Sequence, residues 1–138
     1  MGFVLDASIA LSWCFADEAN PLSNALLEKL ETEIAYVPEL WPLELGNILV
    51  SAARKKRITY AKIAEFLALL ENTNIQIDKE TSGRAFHEIL ALAHAEKLTT
   101  YDAAYLELAM RLGLPLASKD NQLCDTAARL GLKVLGHK

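Results

Sequence analysis

At 138 residues, 52% of them hydrophobic and 23% charged, with six Gly and four Pro, the chain has the size and composition of one folded domain over 1–138, which excludes a largely disordered protein. A net charge of −4 excludes nucleic-acid binding through a broadly basic surface; such binding needs a local source of positive charge. Cys14 and Cys124 show neither metal spacing nor a disulfide framework and read as reduced thiols of a cytoplasmic protein. The apolar N-terminus lacks a positive leader and is interrupted by Asp6, which also stands where a myristoylation signal wants Ser or Thr. No apolar run approaches the ~20 residues of a membrane span, so a soluble protein with no membrane partner is expected.

In chain order, Phe3 to Leu5 reads as a buried strand and Ser8 to Phe15 as a short helix, with Asp6 or Ser8 placed to cap it. Asn20-Pro21 opens a helix that runs to about Glu31. Ile34 to Val37 is a second strand stopped by Pro38. Helices are expected over Pro42 to Lys56 and from Thr59 to Asn72, followed by a strand over Asn74 to Ile77. A single helix is expected from Thr81 to Glu96. Thr99 and Thr100 can cap the next, Asp102 to Leu112, which Gly113 ends. Leu114 to Ala117 is the fourth strand, Asn121 to Leu130 the last helix, and Lys133 to Leu135 a short edge strand. Strands alternating with helices predict an α/β fold on a parallel sheet.

Against this pattern four acids stand out: Asp6, Glu44, Asp102 and Asp120. Asp102 starts the stripe Leu106, Ala109, Met110, and Glu44 shares a helix face with Trp41, Ile48 and Ala52, so both fall on core-facing sides. Glu107, with Arg111 four residues on, reads instead as a solvated surface pair. Asp6 and Asp120 each follow a strand end, where sites form in open parallel sheets. Singly, each has a plainer explanation as a cap or a helix-terminus charge. Together they suggest a bound divalent cation, because buried carboxylates are costly unless paired, protonated or ligated. Oxygen donors without clustered His or Cys favour Mg²⁺ or Mn²⁺, and the fitting chemistry is phosphodiester hydrolysis by cation-activated water.

Several features keep two readings. Arg54-Lys55-Lys56-Arg57 fits cations at a helix C-terminus or an RNA-backbone contact. Lys119 is a candidate phosphate contact beside Asp120. His87 and His94 read as surface or core histidines, and Asp125, five residues past Asp120, points away from the acid set. Trp41, Leu40 and Leu43 suit either the core or a protein interface. Among rival functions, a metal-dependent phosphatase using Asp6 as nucleophile would want an acid two residues on, where Ser8 stands. A dinucleotide-binding protein would need a Gly-rich loop after the first strand, and none is present. A non-catalytic RNA-binding or interaction module on the same fold would be marked by loss of an acid.

The stretches Val4-Leu5-Asp6-Ala7-Ser8, Leu43-Glu44-Leu45-Gly46-Asn47, Leu98-Thr99-Thr100-Tyr101-Asp102-Ala103-Ala104-Tyr105-Leu106 and Pro115-Leu116-Ala117-Ser118-Lys119-Asp120 resemble the PIN-domain family, and within it VapC-type toxins of toxin–antitoxin pairs. The resemblance runs from first strand to last. It implies a three-layer α/β/α fold with a parallel five-stranded sheet, and a Mg²⁺- or Mn²⁺-dependent endoribonuclease. Asp6, Glu44, Asp102 and Asp120 match the family's acidic metal-binding residues. Ser8 matches a small hydroxyl residue that either orients a water or caps the first helix. A homodimer, an RNA substrate and a cognate antitoxin blocking the cleft are implied as well. Ser118 stands where Thr is common and Lys97 where a turn Gly is frequent.

Overall fold

The computed structural model describes residues 1–135. Its frame is a five-stranded parallel sheet built from β1 (Gly2–Leu5), β2 (Ile34–Pro38), β3 (Ile75–Asp78), β4 (Leu116–Ala117) and β5 (Val134–Leu135), in the order β3-β2-β1-β4-β5. Every pairing is parallel. The β1 strand is buried over its whole length, as a central parallel strand covered on both faces must be.

The chain steps outward from β1 to β3, then returns past β1 to β4 and continues to β5. Parallel crossovers are right-handed, so the outward and return steps place their helices on opposite faces, which makes the three-layer α/β/α fold. On the first face lie α1 (Ala7–Ser12), α2 (Pro21–Lys29), α3 (Trp41–Arg54) and α4 (Tyr60–Glu71), with α1 against α2 and α3. On the second, α7 (Thr100–Leu112) packs on β1 and β2 and meets α8 (Asn121–Arg129). Strand order reverses between β1 and β4, opening the crevice expected beyond their C-terminal ends. Trp41 is buried in the main core, whereas Leu43 is 81% exposed.

Local signals account for most boundaries. Asn20, Thr59, Thr99 and Asp120 accept backbone N–H groups of Ser23, Lys62, Asp102 and Leu123, capping four helices. Gly113 ends α7 at φ 66°. Lys97 adopts φ 59° after α6, the left-handed conformation that glycine would take with less strain.

Two expectations are corrected. The continuous helix from Thr81 to Glu96 is instead α5 (Thr81–Arg84), a π-helical turn (Ala85–Ile89) and α6 (Leu90–Glu96). The wider turn changes the phase of the helix face. Ile89 and Ala93 thereby meet Ala103 and Ala104 of α7, while Phe86 is left 84% exposed.

The second correction concerns α7. It is buried nearly all round from Ala103 to Ala109, so a single stripe understates its contacts, and Met110 lies outside them at 46% exposure. Glu107 is buried rather than solvated. It does accept from Arg111 at 2.9 Å, but Arg84 reaches it from α5 and Arg111 also forks onto Asp78 at the end of β3. Arg111 is the main cause that holds the Asp78 carboxyl below its usual range.

Arg57 of the basic cluster is likewise engaged within the fold. Its guanidinium pairs with Asp17 and Glu18 and lies 3.9 Å from the centroid of the Phe15 ring. Both cysteines are free thiols; Cys124 is buried, and burial is the main cause that pushes its thiol up to about 11. Among the described residues no helix is long and apolar enough to cross a membrane.

Candidate metal centre

The crevice between β1 and β4 gathers acids from four elements. Asp6 follows β1, Asp120 starts α8, Asp102 lies in the first turn of α7, and Glu44 lies in the first turn of α3. Each therefore occupies the point where a strand hands over to a helix or a helix begins.

Asp6 is the most buried of the four, at 7% exposure, and a double clasp holds it there. Its Oδ2 accepts the Ser8 hydroxyl at 2.8 Å and the Ser118 hydroxyl at 2.7 Å. Those hydroxyl oxygens in turn accept the backbone N–H groups of Lys119, at 2.9 Å, and Asp120, at 3.0 Å. The end of β1 is thus sewn to the turn after β4. Ser8 neither caps α1 nor stands free; Asp6 occupies the cap position of α1 without making a side-chain cap bond. Both serine hydroxyls thus fall on the same oxygen of Asp6, Oδ2.

The other acids follow a related plan. Glu44 Oε1 accepts the Tyr105 hydroxyl. Asp120 spends Oδ1 on the Leu123 N–H. Asp102 is held through its backbone, whose N–H donates to Thr99 at 3.1 Å. Lys119 directs its ammonium to Ser12, at 3.2 Å, and toward Glu18, at 3.9 Å. Both histidines of the α5–α6 region are exposed, as is Asp125.

The four carboxylates repel one another. Burial first, then the charges of Asp120, Asp6 and Glu44, push Asp102 up to about 6. Burial is also the leading cause raising Asp6, opposed by its two serine hydroxyls and supported by Asp120. Glu44 is raised by burial, opposed by the Tyr105 hydroxyl and supported by Asp6.

Because Asp102 ionises more easily in the unfolded chain, its contribution to stability is full below about pH 4 and lost as pH rises through about 6. Metal-free protein is therefore expected to melt lower near pH 7 than near pH 5. Asp102→Asn should remove much of that slope, an effect on the order of 1–2 kcal/mol for a half-buried, partly screened group. Melting scans in chelator across this range check it; a wild type that gains stability as pH rises through 6 would contradict it.

The donor set fits a hard divalent cation. It is all oxygen, and the charges that raise the Asp102 carboxyl are those of Asp120, Asp6 and Glu44. Among the described residues no three His, Cys, Asp or Glu side chains stand together as a group that could hold a metal ion. Mg²⁺ needs no such cage, since it commonly uses one or two carboxylates and keeps several waters. Beside the acids, Glu44 lines a cavity of about 520 Å³ with Leu40, Leu43, Asn47, Ile48 and the 63%-exposed Tyr101.

The residue combinations that shape the site were only partly visible as motifs. Ser118 and Tyr105 lie within the motif stretches, but nothing local assigns Ser118 to Asp6 or Tyr105 to Glu44. The only sequence signal for Tyr105 is its place three residues after Asp102, on the same helix face.

Comparison with known proteins gives a family and a fold. The PIN domain family model matches residues 3–129. No curated protein matches the chain. Among solved structures, PAE2754 from Pyrobaculum aerophilum is similar at TM-score 0.70 and 24% identity, covering 97% of this chain and 83% of that one. VapBC2 from Rickettsia felis, bound to a DNA fragment from its promoter, is similar at TM-score 0.64 and 13% identity, covering 99% and 98%. FitAcB from Neisseria gonorrhoeae is similar at TM-score 0.58 and 19% identity, covering 97% and 96%.

Proposed function

This chain belongs to the PIN domain family, and from that premise we propose that it is a Mg²⁺- or Mn²⁺-dependent endoribonuclease, the toxin of a toxin–antitoxin pair. The observation that carries the reading is the convergence of Asp6, Glu44, Asp102 and Asp120 on one crevice, close enough to raise the Asp102 carboxyl to about 6 through burial and mutual repulsion. Such a cluster is destabilising in the empty protein and is relieved by a bound cation.

Asp6, Glu44 and Asp120 would each offer the oxygen that the protein does not already occupy, and Asp102 both of its own. When bound, the cation supplies activation of water and neutralises negative charge that develops on the phosphate. The serine clasp keeps Asp6 fixed while the substrate is handled, so little reorganisation is needed at the reacting centre. The adjoining cavity, with an exposed tyrosine at its edge, suits the unstacked bases of single-stranded RNA. The toxin reading is supported by fold likeness to VapBC2 and FitAcB, and it carries with it an antitoxin partner and a homodimer.

Purified protein is expected to cleave single-stranded RNA internally when Mg²⁺ or Mn²⁺ is present and to stop in chelator, with activity returning on metal addition. Gel mapping of end-labelled RNA reads this directly. Retained RNA binding without cleavage in either metal would instead favour the non-catalytic module; phosphate release from small monoesters alone would favour the phosphatase.

A further inference from the structure

We propose that Tyr105 is a positioning residue for Glu44, using its hydroxyl to hold one carboxylate oxygen so that the other is presented to the cation. This rests on the metal reading of the acids given above.

Tyr105 is fully buried in the middle of α7, and its hydroxyl donates to Glu44 Oε1. A phenol placed only to fill the core could pair with a backbone carbonyl, or be replaced by phenylalanine with no polar group to satisfy. Here its partner is an acid on another helix, α3. Tyr105 also lies three residues after Asp102, so the two share a helix face. The bond therefore ties Glu44 to the helix that carries Asp102 and sets the spacing between two acids from distant parts of the chain.

The arrangement repeats at the neighbouring acids. Asp6 has Oδ2 held by two hydroxyls, and Asp120 has Oδ1 held by the Leu123 N–H. Glu44 has the longest side chain of the set and the most rotational freedom to lose, so an external anchor matters most there. Anchored in this way, it would offer a cation Oε2 rather than swing freely between one-oxygen and two-oxygen binding. Groups that orient metal ligands through hydrogen bonds commonly govern affinity in this manner.

The test uses the full chain and Mn²⁺ as the probe. Tyr105→Phe removes the hydroxyl and keeps the ring. Calorimetric titration should give a Mn²⁺ affinity about 10–100-fold below wild type, with the metal-free melting temperature little changed. RNA cleavage by the variant should recover as Mn²⁺ is raised to saturation, since the loss lies in holding the cation. Equal Mn²⁺ affinity in the two proteins overturns the proposal, as does a cleavage rate that stays depressed at saturating Mn²⁺. A collapse of metal-free stability overturns it too, because the hydroxyl would then serve the core. Wild type that takes up no Mn²⁺ contradicts the reading of the acids themselves and this role with it, whereas the affinity comparison decides the role even if RNA is not the substrate.

Discussion

Asp6→Asn is expected to fold as the wild type does and to lose RNA cleavage by roughly 10³-fold or more, equivalent to about 4 kcal/mol of transition-state stabilisation. The reason lies in how the Asp6 carboxylate is divided. Oδ2 is buried under Ser8 and Ser118, and an amide oxygen at the same place accepts both hydroxyls equally well. The clasp between β1 and the turn after β4 is therefore kept. The amide nitrogen then falls where Oδ1 stood, presenting two N–H donors where a cation needs a lone pair. Burial raises the Asp6 carboxyl, so loss of its charge does not harm the metal-free fold. Cleavage rates in Mn²⁺, beside melting temperatures in chelator, separate the two effects. Undiminished Mn²⁺-dependent cleavage would remove Asp6 from the metal set. A melting temperature far below wild type would show that the clasp needs the negative charge.

Arg111→Ala is expected to destabilise the protein by about 3 kcal/mol, lowering the melting temperature by roughly 10 °C. Arg111 joins the C-terminal half of α7 to the end of β3, reaching Asp78 through two nitrogens and Glu107 one turn back. All three side chains are largely shielded, with exposures of 16% for Arg111, 13% for Asp78 and 9% for Glu107. Removing the cation leaves two carboxylates in poor contact with water, and of the two it is Glu107 that Arg84 pairs with directly, at 3.3 Å. The acid limb carries a second signature. The Asp78 pKa is lowered chiefly by Arg111, so the stability it contributes is present above about pH 4 and is lost as pH falls through its depressed folded value. In Arg111→Ala that acid-side loss should shrink. Denaturant titrations across the acid range check both points, and a variant within 1 kcal/mol of wild type would show that the network is a solvated pair after all.

Helix α7 serves both the acid site and this network: its first turn carries Asp102 and its last turns carry Glu107 and Arg111. Helical spacing placed Asp102 toward the interior but misread Glu107. An i,i+4 acid–base pair has the same pattern on a wet surface and in a buried seam, and only the approach of Arg84 and Asp78 distinguishes them. The π-helical turn was hidden for a similar reason. Its sequence is acceptable to an ordinary helix, and the phase change is imposed by packing Ile89 and Ala93 on α7.

What the sequence determined by itself is local. Short apolar runs, capping residues and the glycine after Leu112 set the strands and helices to within a few residues, because hydrogen-bonding and steric preferences act over one turn or one strand. The four acids were also legible, since a carboxylate on an apolar face or just past a strand conflicts with its neighbourhood. Tertiary structure alone decided the order β3-β2-β1-β4-β5, and with it the crevice in which those acids meet. It alone also selected Ser118 as a partner of Asp6 across 112 residues, and Tyr105 as a partner of Glu44 across 61. Such pairings arise when strands cross over and helices dock. Their energies depend on which atoms lose water together, a property of the packed layers that no short stretch of chain carries.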